Sequence, residues 1–283
     1  MRVHRLVALL LLATLPLSSA CADWPVRLFG TTLRSASWDR VVSSDPNLIT
    51  SPMPTFGGLS GSFVETRDGR IGGFAQTSQV VYADLSGDGR EEALIPLVQE
   101  GAAGVSGLLI YRASDRGPVL AGALGGTLLT FEVTAGILTV YSAHRVGWEE
   151  GCCPSGTRVR RVRLEGDRLI TLSETITPRE QARLPTVARY YRLLGEGNLT
   201  EAYALLSPRF RAQQPREAWE RAATAATILQ LTARTEGDGT LLVELTSQRP
   251  DGSEQRTRIR WTLVWSPEVT HWLLDQAETL PAS

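Results

Sequence analysis

Between residues 61 and 172 the chain is a succession of short β-type runs divided by glycine, and helical periodicity is missing throughout. The runs fall at 62–65, 79–83, 92–98, 107–112, 119–124, 127–133, 137–143, 157–164 and 168–172. So many strands at such close spacing predict an all-β region, an antiparallel sandwich, barrel or partial propeller. Glu165-Gly166-Asp167 and Thr134-Ala135-Gly136 read as hairpin turns. Upstream, Ser37-Trp38-Asp39-Arg40-Val41-Val42 predicts a short helix capped by Ser37 and ended before Asp45-Pro46. The first domain is placed at 24–175.

Within it, residues 84–92 carry oxygen side chains at positions one, three, five and nine, with Gly89 at position six. That is the spacing of a calcium loop, in which a glycine makes the sharp turn after the first three ligands. The apolar runs on either side are strands, so the loop would join strand to strand. These residues resemble the calcium loops of FG-GAP and dockerin-type repeats. The resemblance implies a structural calcium ion held by the side chains of Asp84, Ser86, Asp88 and Glu92 and by the carbonyl of Arg90. Ser86 stands where those repeats have Asp or Asn, and a neutral hydroxyl implies an affinity of roughly 10⁻⁴ to 10⁻³ M. The competing reading is a glycine-rich hairpin whose acids cap backbone amides, which needs no metal.

The amino-terminal segment bears on compartment. Arg2, His4 and Arg5 precede an uncharged apolar run from residue 6 to 17 and then Ser18-Ser19-Ala20, the pattern of an export signal over 1–20. The run is too short for the roughly 20 residues of a membrane-spanning helix. Cys21, directly after small residues, resembles the lipobox cysteine of bacterial lipoproteins, which implies lipidation there. Cleavage after Ala20 or Ala22 without acylation is the alternative. Either way the protein is expected to be exported to the envelope, the periplasm or beyond, meeting a membrane only through an anchor on Cys21. Taking Arg2 and Arg5 from the 29 basic residues, all arginine, leaves 27 against 30 acidic ones. With no polybasic segment, nucleic acid is not an expected partner.

Gly151-Cys152-Cys153-Pro154-Ser155-Gly156 sets two adjacent cysteines in a turn. In an exported protein they should be oxidised. If Cys21 is acylated, Cys152 and Cys153 have only each other, as a vicinal disulfide; if it is not, Cys21 can pair with one of them. A redox role would want a Cys-x-x-Cys pair or a nearby base, and neither is visible, so the pair reads as a loop stiffener. The loop at 84–92, the apolar strand at 93–97 and the Cys-Cys-Pro-Ser-Gly turn together resemble a family of uncharacterised bacterial envelope lipoproteins. That likeness implies envelope location and transfers no catalytic residue.

Residues 180–283 change character. Leu184, Val187, Tyr191 and Leu194 share one helical face, Thr200 caps a second helix and Pro215 opens a third carrying Trp219. Strands at 227–235, 240–246, 255–266 and 269–275 follow, and Ile259, Trp261, Leu263 and Trp265 alternate with Arg258, Arg260 and Thr262. Helices followed by antiparallel strands, with Trp272-Leu273-Leu274-Asp275 near the close, resemble the SnoaL-like, nuclear-transport-factor-like cone. The expected fold class is therefore α+β, an all-β domain followed by a three-helix cone. Tyr191, Trp219, Trp261 and Trp265 would either line a pocket or form core.

No Gly-x-Ser-x-Gly, His-Glu-x-x-His, phosphate loop or dinucleotide fingerprint occurs. The expectation is a non-enzymatic exported protein that binds an envelope protein or a small apolar ligand. The alternative is a cone-fold isomerase or hydrolase using His271, the only histidine of the second domain.

Overall fold

The computed structural model describes residues 33–52, 62–99, 104–149 and 153–281. The leader at 1–20, Cys21 and Cys152 lie outside the described residues. A short 3-10 turn and helix α1 (Trp38–Ser43) lead into the strands; Ser37 stands at the N-cap of α1, but its hydroxyl makes no capping bond.

Ten strands follow: β1 (Leu48–Pro52), β2 (Ser62–Thr66), β3 (Gly72–Ala75), β4 (Val81–Ala83), β5 (Glu92–Val98), β6 (Val105–Ser114), β7 (Gly117–Thr134), β8 (Ile137–His144), β9 (Gly156–Glu165) and β10 (Arg168–Pro178). They form one antiparallel sheet in the order β1-β2-β3-β5-β6-β7-β8-β9-β10, with β4 against β5. The long strand β7 decides this arrangement. It pairs with β6 from Gly117 onward and with β8 through Thr134, so one strand runs through both halves. Between Thr127 and Thr130 its register slips, and Leu128 sits at φ +53°, a strained left-handed conformation for a leucine. Leu94, Leu108 and Ile110 of the first half pack in one cluster with Leu138, Val140, Val162 and Leu164 of the second, so the sheet folds back on itself. The other face of β5 and β6 buries Ala93, Ile95, Leu97, Leu109 and Tyr111 beneath Trp38 and Val42 of α1. Buried on both faces, these two strands read as continuous apolar runs.

Both expected turns form, with Gly166 at φ +59° and Ala135-Gly136 at φ +50° and +73°. Two successive left-handed residues match the twist of the flanking strands.

After β10 come α2 (Arg183–Gly195), α3 (Leu199–Ala204), α4 (Pro208–Gln213) and α5 (Arg216–Ala223), then β11 (Thr227–Thr235), β12 (Leu241–Gln248), β13 (Glu254–Ser266) and β14 (His271–Leu280), an antiparallel sheet in chain order. Pro185 falls in the first turn of α2, where the missing N–H would have no helical partner. The α+β expectation of a sandwich or partial propeller followed by a three-helix cone is corrected here. Among the described residues the chain is mostly β, in sheets of ten and four strands, and the five helices are short. No three-helix cone domain forms among them. One physical reason lies at Ser207-Pro208. The Ser207 hydroxyl accepts from the Phe210 amide at 3.0 Å, Pro208 takes the first helical position, and Leu206 bridges to Leu274, so the chain starts a separate short helix, α4.

Tyr190, Tyr191, Phe210, Trp219 and Trp261 fill the space between helices and sheet. Trp219 Nε1 donates to the Tyr190 hydroxyl at 3.1 Å and Trp261 Nε1 to that of Tyr191 at 2.8 Å, so each buried polar atom is satisfied. Tyr191, Trp219 and Trp261 are core; Trp265 lies at its edge, 5.8 Å from Trp272 ring to ring.

Candidate functional site

The loop at 84–92 joins β4 to β5, and its acids are engaged from within. Asp84 Oδ1 accepts from the Gly87 amide at 2.6 Å and Oδ2 from the Gly89 amide at 3.0 Å. Asp88 Oδ1 accepts from the Arg90 amide at 2.8 Å. Glu92, only 3% exposed, turns inward, and its Oε2 accepts from the Leu85 amide at 2.7 Å. Gly87 and Gly89 adopt φ +76° and +83°, which a side chain at either place would resist. Burial lifts the Glu92 carboxyl above its ordinary value, against the Leu85 amide, and nearby Asp88 and Asp84 lift it further. Burial also works on Asp84, but the amides of Gly87 and Gly89 outweigh it and hold that carboxyl below its usual range.

A calcium ion needs the oxygens of Asp84, Ser86, Asp88, Arg90 and Glu92 to converge. Those of Asp84 face amides and Glu92 faces the core, and among the described residues no three His, Cys, Asp or Glu side chains form a metal group. In this arrangement the acids serve the turn. Leu85, wholly buried among Leu94, Leu108 and Leu164, anchors the same loop, a burial that contributes about 2 kcal/mol. Beside the loop a space of about 500 Å³ carries paired charges, Arg112 with Asp167 at 2.5 Å and Arg163 with Glu165.

The segment after β8 gives a different picture. Glu149 Oε2 accepts from the amides of Val146 and Ser155, each at 3.0 Å, and Oε1 accepts from the Ser155 hydroxyl. One carboxylate thereby ties the chain before the two cysteines to the chain after them. Burial raises its proton affinity, while the Ser155 and Val146 amides and the charges of His271 and Arg145 lower it; the net direction is upward. Gly156 completes the fastening. A Cβ there would lie 2.8 Å from the Thr177 carbonyl oxygen and 3.3 Å from Trp265, so only glycine fits. The carbonyl of Ser155 accepts from the Arg179 amide at 2.8 Å, and the Arg179 carbonyl accepts from Trp272 Nε1 at 2.9 Å. Ser155-Gly156 is thus where β9 and β10 meet β13 and β14.

Cys153, half-buried, lines a cleft of about 450 Å³ together with Trp148, Glu149, Leu184, Pro185, Ala188, Arg189 and Arg192. One wall is the Glu149 side; the other is α2, whose Leu184 also packs against the aromatic core. His271 stands behind Trp148, edge to face at 6.0 Å, with Nδ1 paired to the Val269 carbonyl at 2.9 Å. Its ring therefore lies against the cleft's aromatic wall. Trp148 and Glu149 were not singled out from the sequence. Nothing local marks them, because the partners of Glu149 are two backbone amides and the Ser155 hydroxyl, and those of Trp148 come from α2 and β14.

No protein-family model matches the chain, no curated protein matches it, and no solved structure matches its fold.

Proposed function

We propose that this is a non-enzymatic exported envelope protein that takes a small apolar ligand in the cleft between α2 and the residues Trp148, Glu149 and Cys153. The observation that carries this reading is the cleft itself. Leu184, Pro185, Ala188 and the Trp148 ring give it apolar walls, and its volume lies within the range of small-molecule sites. The acid that borders it, Glu149, is occupied in holding the cysteine loop, so it serves the shape of the cleft and is not free for chemistry. Export follows from the leader pattern at 1–20, with Cys21 as the lipid attachment point. In this reading the loop at 84–92 is a structural clamp on one hairpin, and calcium would add to that clamp without being its source.

The test is a neutral apolar dye. Nile red should gain fluorescence with the full chain, and Ala188→Trp, which fills the cleft from an exposed helix position, should abolish the gain without lowering the melting temperature. Dye binding that survives Ala188→Trp, or no binding by the parent protein, sinks the proposal.

A further inference from the structure

The cleft's polar groups are not spread evenly along it, and this points to the class of ligand. On α2 the lining residues run in the order Leu184, Pro185, Ala188, Arg189, Arg192, so the apolar ones come first and the cations last. At 1.5 Å per residue, Leu184 and Arg192 are about 12 Å apart along the helix axis, the scale of a medium-length hydrocarbon chain. The two arginines differ in what they still lack. Arg189 Nη2 pairs with Glu201 at 2.5 Å, its side chain is 17% exposed, and its guanidinium carbon lies 6.0 Å from the Trp148 ring centroid. Its charge is met from outside the cleft and its stem helps form the wall. Arg192 is exposed, and among the described residues no carboxylate forms an ion pair with it, Glu196 four residues on included. On the opposite wall the Glu149 carboxylate is folded onto the amides of Val146 and Ser155.

We infer that the ligand is a single-chain anionic amphiphile, an alkyl chain ending in one carboxylate or similar anion, its chain against Leu184, Pro185, Ala188 and Trp148 and its head at Arg192. The inference rests on the cleft reading above. Volume favours one chain: about 450 Å³ suits a fatty-acid-sized molecule and not the paired chains of a bilayer lipid. Charge favours an anion. A guanidinium offers a forked set of donors that fits a carboxylate, and among the described residues no carboxylate engages the fork of Arg192. Burial of the chain supplies most of the affinity, and the head fixes which way the molecule lies.

The experiment compares laurate, dodecanol and dodecylammonium, each below its micelle concentration, by titration against the full chain with Trp fluorescence as readout and Nile red displacement alongside. Laurate should bind about fivefold more tightly than dodecanol, the yield of one charge-assisted hydrogen-bonded contact near the surface, and dodecylammonium should bind most weakly. Arg192→Gln should bring laurate down to the dodecanol value and leave dodecanol unchanged; because Arg192 is exposed, the variant should melt like the parent. Raising the salt concentration should weaken laurate alone. If dodecanol binds as well as laurate, or Arg192→Gln leaves laurate untouched, while Nile red still enters the cleft, the anionic head is wrong and the apolar-ligand reading stands. If none of the four probes binds, the cleft reading itself falls and takes the inference with it.

Discussion

Asp84 does two jobs at one turn, receiving the amides of Gly87 and Gly89 on its two oxygens, and those are charge-assisted bonds of the stronger kind. Ser86 adds a weaker link at 3.3 Å to the same carboxylate. Asp84→Ala should therefore lower the melting temperature by a few degrees in the presence of a chelator, since the turn loses its clamp but keeps Leu85 buried. Adding millimolar calcium to the parent is the second arm of the same measurement. A rise in melting temperature that disappears in Asp88→Ala would add an ion to the clamp, and an unchanged value leaves the hydrogen bonds alone. The residue types at 84–92 were legible in the sequence as a sharp turn rich in oxygen ligands. Which groups those oxygens face was not, because a carboxylate that caps amides and one that waits for a cation occupy the same sequence positions.

Among the elements, α4 shows how a single side chain sets a boundary. Ser207 is 1% exposed; its hydroxyl accepts from the Phe210 amide and donates to Asp275 Oδ1 at 2.5 Å, so it caps the helix and ties it to β14 at once. Ser207→Ala leaves an amide and a carboxylate oxygen without their partner and should cost about 1–2 kcal/mol in chemical denaturation. A loss within error of zero would mean that water replaces the hydroxyl. The alternation of Trp261 and Leu263 with Thr262 in β13 was readable, because a strand with one wet face repeats every two residues. The break between α3 and α4 was not read, since it depends on Leu206 and Ser207 meeting Leu274 and Asp275 from the far end of the chain. Gly156 is similar. Its need for glycine comes from Thr177 and Trp265, which only the folded chain brings alongside.

At the scale of the whole molecule, the shifted carboxyls work against each other as pH changes. Glu92 and Glu149 have folded values raised by burial, so the folded state binds their protons more tightly than the unfolded chain does; stability rises as pH falls through their folded values and is complete below the unfolded ones. Asp84, Glu91 and Glu201 are held below their usual range, by amides for Asp84, by Arg34 for Glu91, and by Asn198 and then Arg189 for Glu201. Their contribution is present above the unfolded value and is lost as pH falls through the folded ones. Melting temperature should thus climb slightly as pH drops toward the ordinary carboxylate range, then fall below it, and Glu149→Gln should flatten the climb while leaving the fall. A monotonic decline from neutral pH in the parent would contradict the assignment. The sequence by itself determined the local features: most of the β-runs and their turns between residues 61 and 172, though not β3 or the continuity of β7, the helix over Trp38–Ser43, the apolar stripe of α2 and the alternation in β13. Those depend on neighbours a few residues apart, and backbone sterics with burial of one face are enough to specify them. Only the tertiary structure decided that β7 would join two halves into one ten-stranded sheet, that the described helices would be short and form no cone, and that Trp148, Cys153 and α2 would line a cleft. Apolar burial has no direction and rewards many pairings of the same strands, so the one that wins is set by the packing of the whole chain.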